Sequence, residues 1–328
     1  MKIHLSFDHE LFFGSSSGSV EKCMFEPAQR LMELASKHQV PLIFFVDAGF
    51  LVASKRYVTD ERCNRAYNKV ATQIKLLFDA GHEIALHVHP HWEDCVFESG
   101  NWKINTRRYK LADYSKEEAS HIITKYHQSL IEITGSKCHS FRAGGWCIQP
   151  FEHIKDALKQ NELFIDSSVY ANGYHDSPAH SFDFRNAPKK EEYRFETDCC
   201  SEVDAGMFKE VVITDDEIPP LFYWDLYLRM KLNPALFKPI GDGSWLKDKK
   251  RIYKQFYSKT HHFACADGYF ASRLNGIMRR QLNLKREQMM VLSHPKSLAE
   301  CSFSLLDKFI VQAKQNGCTF NTLSGNGA

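Results

Sequence analysis

Gly81-His82-Glu83-Ile84-Ala85-Leu86-His87-Val88-His89-Pro90-His91-Trp92 carries two messages. Glu83 to Val88 is a short, mainly apolar run behind a helix-stopping glycine, the pattern of a strand buried in a parallel sheet. Where that strand ends, histidines stand at alternate positions: His87, His89 and His91. Neutral imidazole is the commonest protein ligand for zinc and related ions, and clustered imidazoles repel one another once protonated. Their gathering predicts a metal centre, and a metal centre points to hydrolytic chemistry.

Working outward, strand and helix patterns alternate. Residues 2–7 read as a strand, 21–38 as an amphipathic helix, 41–47 as a buried strand and 64–80 as a helix ending at Gly81. Residues 92–114 carry Trp92, Phe97, Trp102, Tyr109 and Tyr114 without periodicity and read as a long loop. Ser115-Lys116-Glu117-Glu118 is a capping box opening a helix to about 134. Strands are expected at 138–142 and 163–166. From 171 to 265 the alternation fails, apart from an apolar-aromatic helix candidate near 220–232 and a basic stretch, Lys247 to Lys254. It resumes with a helix at 268–285, a strand at 289–293, a helix at 297–316 and a strand at 318–323. This predicts one α/β domain over 1–328, a parallel sheet or barrel, with 171–265 as an insertion.

Composition excludes several classes of function. With 42 basic against 40 acidic residues the net charge is +2, which supplies no electrostatic argument for nucleic acid or an anionic membrane. The ten cysteines include no Cys-x-x-Cys pair and read as free or buried thiols of a reducing compartment. No apolar run is long enough to span a bilayer, and Met1 to Phe7 reads as a strand rather than a secretion signal, so a soluble cytoplasmic protein is expected. The 24 Phe and 13 Tyr suit an aromatic core, with a surplus available to line a sugar or acyl cleft.

The polar clusters fall at predicted strand ends: Asp8-His9-Glu10, His87 to His91, Arg142, Asp166 and His294. In a parallel sheet or barrel these ends converge on one rim. Asp8 and Glu10, two apart, share one side of an extended strand and suit one metal ligand and one base. His87 and His91 have the spacing of a helical turn. Pro90 biases His89 away from helix, and the alternative is an extended segment with all three histidines on one face. Arg142 can hold a carboxylate ionised, and Gly144-Gly145 lets backbone amides approach a ligand or simply makes a tight turn. His294 in isolation reads as structural.

Taken in order, these segments resemble the polysaccharide deacetylase family, carbohydrate esterase family 4, with its NodB-like domain. Ser6-Phe7-Asp8-His9-Glu10 stands where the family has a Thr-Phe-Asp-Asp-like segment, and Gly81 to Ile84 leading to His87 and His91 is similar to its His-x-x-x-His element. Arg142 to Trp146 loosely matches Arg-x-Pro-Tyr, Phe164 to Ser168 the segment of the next aspartate, and Leu292-Ser293-His294-Pro295 the closing Leu-x-His. The variant forms look similar to a branch found in surface-polysaccharide (O-antigen) loci.

The resemblance implies a distorted (β/α) barrel with an irregular insertion and a divalent metal, zinc first, on Glu10, His87 and His91. It implies Asp8 as general base oriented by Arg142, and His294 as general acid tuned by Asp166. Gly145, Trp146, Leu292 and Trp92 would contact substrate. His9 stands where the family's second aspartate would be, which moves that ligand to Glu10. His89 is extra, and its substitution is expected to weaken metal binding least of the three. The implied activity is removal of an N-acetyl or similar acyl group from an amino sugar, a cytoplasmic precursor in surface-polysaccharide synthesis. Rival readings are hydrolysis of a small cyclic amide and a non-catalytic carbohydrate- or metal-binding relative.

Overall fold

Ile43-Phe44-Phe45-Val46-Asp47 and Glu83 to Val88 are buried along their whole length, as strands covered on both faces must be. They are the centre of a distorted (β/α) barrel in the computed structural model, which describes residues 1–245 and 253–325. Its strands are β1 (Lys2–His9), β2 (Ile43–Asp47), β3 (Glu83–Val88), β4 (Ser140–Ala143) and β5 (Ile165–Asp166). Then come β6 (Glu192–Phe195), β7 (Phe208–Val211), β8 (Gln288–Ser293) and β9 (Thr319–Phe320). The order across the sheet is β6-β7-β5-β4-β3-β2-β1-β8, with β9 also against β1. All pairs are parallel except β6–β7.

The outer edge of β8 is bridged by irregular backbone. Thr214 N–H donates to Met290 O (3.1 Å), Met290 N–H to Thr214 Oγ1 (3.0 Å), and Leu292 N–H to Ala264 O (3.0 Å). Three hydrogen bonds, from Thr214 and Ala264, thus stand in for a regular strand, and the barrel is distorted here. Residues 171–265, expected to lie outside the alternation, supply both these bridges and strands β6 and β7. The four-residue runs EYRF and FKEV were too short and too polar to announce themselves.

Helices wrap the sheet. A π-wound turn, Glu21–Phe25, leads into α1 (Glu26–His38), and α2 (Ala48–Lys55) follows β2 directly. Then come α3 (Glu61–Asp79), α4 (Lys116–Thr134) and α5 (Lys155–Gln160). Past β7 lie α6 (Pro220–Leu232) and α7 (Pro234–Phe237), and α8 (Leu274–Asn283) and α9 (Glu300–Gln315) flank β8. The capping box of α4 forms as the sequence predicts: Glu118 N–H donates to Ser115 Oγ (3.2 Å) and Ser115 N–H to Glu118 Oε2 (2.8 Å). Helix α2 was not expected. Its run Ala-Gly-Phe-Leu-Val-Ala continues the apolar strand before it without a polar face, so periodicity could not separate the two.

The core is aromatic: Phe7, Phe44, Phe45, Phe50, Phe141 and Phe151 are among its largest fully buried side chains. All ten cysteines carry free thiols, eight of them buried. Among the described residues no helix is long and apolar enough to cross a membrane.

Candidate metal and catalytic centre

The carboxyl ends of β1, β3, β4 and β8 deliver Asp8 and Glu10, His87 and His89, Arg142, and His294 to one place. Glu10 Oε2 lies 2.7 Å from His89 Nε2 and 3.3 Å from His87 Nε2, and the two imidazole nitrogens are 3.1 Å apart. His87 Nδ1–H donates to Arg142 O (2.9 Å), which leaves its Nε2 with a free lone pair toward the cluster. Glu10 Oε2 is buried and accepts no hydrogen bond of good geometry. Three donor atoms therefore point at one spot. Tetrahedral zinc with ligands at about 2.0–2.1 Å would separate them by roughly 3.3 Å, close to the three edges seen here. The residues fit a divalent ion.

The pairing of His87 with His91 is corrected: the structure brings His89, not His91, to Glu10. The reason lies in the backbone. His89 stays extended (φ −106°, ψ 92°), so His87 and His89, two apart, project to the same side of β3's prolongation. Pro90 then opens a 3₁₀ turn, Pro90–Asp94, that carries His91 away. His91 is buried between aromatic rings, stacked on Trp92 (5.5 Å) and Tyr109 (5.3 Å), and neither ring nitrogen has a hydrogen-bond partner. Burial lowers the pKa of His91 well below the usual value and that of His89 to about 4, so both are neutral imidazoles.

Asp8 and Arg142 meet as the sequence suggests. Arg142 Nη1 donates to Asp8 Oδ1 (2.5 Å), Nε to Ser167 O (2.6 Å), and Nη2 to Ser6 Oγ and Ser167 Oγ (both 3.1 Å). Fully buried and lying over the Phe45 ring at 3.7 Å, this guanidinium is locked, and it fixes the carboxylate it touches. The second Asp8 oxygen faces His87 Nε2 (3.7 Å) and His294 Nε2 (3.8 Å).

The expected partner of His294 is also corrected. His294 Nδ1 is held by Asp267 Oδ2 at 3.0 Å, and Asp267 Oδ1 accepts from the His294 backbone N–H (2.9 Å). Burial would lower the pKa of His294, but the Asp267 carboxylate, helped by Asp8 and Glu10, raises it. Asp166 instead accepts from Ser168 Oγ (2.7 Å) and pairs with Glu210 from the neighbouring β7. Asp267 follows a segment without a readable pattern, so sequence spacing could not link it to a histidine 27 residues on.

Sequence reasoning also missed Lys296. Its ammonium is fully buried and donates to Glu10 Oε1 (2.8 Å) and Leu11 O (2.7 Å). Glu10 thus has one oxygen held by an amine and the other turned to the two imidazoles. Burial would raise its pKa, yet Lys296 and His89 keep it well below the usual carboxylate range. Two residues past His294 in the closing segment, the lysine carries no signal of its own except its place at a strand end. Phe12, Phe13 and Trp245 form a cage over its ammonium at 5.0, 4.8 and 4.9 Å.

Of the expected substrate contacts, Trp92 and Leu292 are wholly buried. Trp92 Nε1–H donates to Asp47 Oδ2 (2.5 Å) and Leu292 belongs to the β8 ladder, so both brace the site from beneath. Trp146 is half-buried among Tyr170, Phe182 and Phe263, and its indole N–H is buried without a partner. Gly145 adopts φ +58° in the turn after β4. Gly144 is required for another reason: a Cβ there would lie 2.5 Å from His89 Nδ1 and 2.6 Å from Val88 O. A groove of about 890 Å³ between Gln39, Pro41, His82 and Phe320 opens at the opposite end of the barrel. Chemistry, not cavity size, marks the site.

Several solved structures are similar to this chain. One from Mycobacterium smegmatis, assigned as a polysaccharide deacetylase, has 13% identity and a TM-score of 0.49 over 95% of this chain and 83% of that one. A family 4 acetyl xylan esterase from Clostridium thermocellum, in complex with a cobalt ion, has 13% identity and a TM-score of 0.41 over 99% and 90%. A pseudoenzyme of the same family from Bacillus anthracis has 11% identity and a TM-score of 0.43 over 98% of this chain and 64% of that one. Its structural neighbours are carbohydrate esterase family 4 proteins. No family model and no curated protein matches the chain.

Proposed function

We propose that the chain is a metal-dependent hydrolase that removes an acyl group from an acylated amino sugar, with Glu10, His87 and His89 as the ligands. The observation that carries this reading is the convergence of those three donor atoms beside a carboxylate locked by arginine and an imidazole locked by aspartate. Bound there, a divalent ion supplies polarisation of the acyl carbonyl and a water of lowered pKa.

The chain's own groups do the proton work. Asp8, its Oδ1 pinned by Arg142, presents Oδ2 to take the proton of the attacking water. His294, its pKa raised by Asp267, offers Nε2–H in its protonated form to the departing nitrogen or oxygen. The two groups lie 3.8 Å apart on one side of the cluster, so the base and the acid face the same spot. Lys296 holds Glu10 Oε1 and so leaves Glu10 a single free oxygen with which it would hold the ion. Trp146, half-buried next to the left-handed turn at Gly145, supplies an aromatic face suited to a sugar ring.

The zinc-loaded protein is expected to release acetate from N-acetylated nucleotide or lipid-linked sugars. Asp8→Asn should abolish turnover, by about 100-fold or more, while retaining the metal. Full turnover by Asp8→Asn would remove the assignment. A second reading, a pocket in which Lys296 takes the place of an ion, rests on the 2.8 Å ion pair to Glu10. Purified protein that binds no divalent metal would favour it.

A further inference from the structure

Helix α6 has the wrong surface for a helix on the outside of a soluble barrel. Its sequence, Pro-Leu-Phe-Tyr-Trp-Asp-Leu-Tyr-Leu-Arg-Met-Lys-Leu, is apolar almost all round, and such a helix is normally covered on every side. One side is: Tyr223 is buried, its hydroxyl bonded to Thr260 Oγ1 (2.7 Å), and Phe222 stacks on Tyr269. The other is open. Leu221, Trp224, Leu228 and Leu232 recur at three- and four-residue steps along one face and are 79%, 49%, 52% and 84% exposed. Leu236 of α7 and the neighbouring Tyr253 and Tyr257 extend the open apolar surface.

Charge decides what covers this face. Lys231 flanks the stripe on one side, and the Asp225–Arg229 pair (2.9 Å) on the other. Lys231, Lys238 and Lys254 are exposed and have no carboxylate partner among the described residues. A second protein surface would leave those ammonium groups in need of acids. An anionic bilayer satisfies both features, taking the leucines and Trp224 into its acyl boundary while lysines reach headgroup phosphates. Helix α6, 13 residues and about 20 Å long, is too short to span a bilayer. The segment also runs toward the chemistry: Trp245 stands edge-on to His294 at 5.9 Å and caps Lys296.

We propose that the open face of α6 and α7 docks the protein on an anionic membrane surface, where the site meets a lipid-linked acylated glycan. The substrate half of this statement rests on the function proposed above, and the docking half stands without it. The test is co-sedimentation of the full chain with vesicles of phosphatidylcholine alone or mixed with phosphatidylglycerol. Binding is expected to the mixed vesicles, to fall with salt, and to weaken by about 100-fold in the Leu221→Ser/Leu228→Ser/Leu232→Ser variant. Because these side chains are exposed, that variant should melt with the wild type and deacylate a water-soluble acetylated sugar equally well. Wild type that stays in the supernatant with the anionic vesicles at low salt overturns docking, whatever its activity. So does sedimentation equilibrium showing a dimer that the leucine substitutions abolish. Vesicle binding with no deacylation of any acylated sugar would instead leave docking intact and sink the substrate half.

Discussion

His89 and Gly144 act as a pair. The imidazole reaches Glu10 because the next strand turns away on a residue without a side chain, leaving 2.5 Å where a Cβ would stand. Gly144→Ala is therefore expected to push His89 aside and reduce zinc affinity about tenfold or more, with a modest loss of melting temperature. Isothermal titration with zinc reads this directly, and unchanged affinity would show that His89 is not a ligand. Lys296 leads to a less obvious expectation. Its ammonium neutralises a buried carboxylate, so Lys296→Met strands that charge and should cost the metal-free protein roughly 3–5 kcal/mol. It also removes a positive charge 2.8 Å from the other oxygen of a proposed ligand, Glu10, which should tighten zinc binding. Added zinc should thus raise the melting temperature of Lys296→Met by more than it raises that of the wild type, and equal shifts would exclude the ion pair as a modulator of the centre.

At the level of elements, β5 and β7 bring Asp166 and Glu210 side by side in the sheet. Burial, and for Glu210 the charge of Asp166, raise both carboxyls above their usual values, Glu210 well above. The folded pair keeps a proton that the unfolded chain releases above about pH 4–5. Its contribution to stability is accordingly complete below that pH and is lost as the pH climbs through the folded values. Glu210→Gln keeps the acceptor for Val169 N–H and gives Asp166 a neutral donor. It should flatten the fall in stability as the pH rises above the usual carboxylate range, a gain on the order of 1–3 kcal/mol at the alkaline end. Parallel pH slopes for variant and wild type in urea melts would contradict this. Asp166 was legible in the sequence as a strand-end carboxylate, but its partner was not, because Glu210 sits in a four-residue strand with no apolar run to reveal it. The same limit hid Asp267. Local spacing reports what one strand or helix presents, and it is silent on which loop folds back upon it.

For the whole molecule, the alternation of strands with helices was readable because β1 is apolar at every second position, β2 and β3 are mainly apolar runs, and each long helix has one apolar face. The far side of the barrel was not. It closes through Thr214 and Ala264 by isolated hydrogen bonds, and no period in the sequence encodes them. The basic run Lys247 to Arg251 lies outside the described residues. Barrel geometry explains why Asp8, Glu10, Arg142 and His294 could be named from sequence: each follows an apolar strand, and parallel strands end on one rim. It explains equally why His91 misled. Spacing of four favours ligation only on a helix, and here the chain stays extended to His89 and turns at Pro90. The most direct test is the zinc content, by elemental analysis after dialysis, of wild type, His89→Ala and His91→Ala. One equivalent of zinc is expected in the wild type and in His91→Ala, with near-complete loss in His89→Ala. Zinc retained by His89→Ala and lost from His91→Ala would contradict the centre described here.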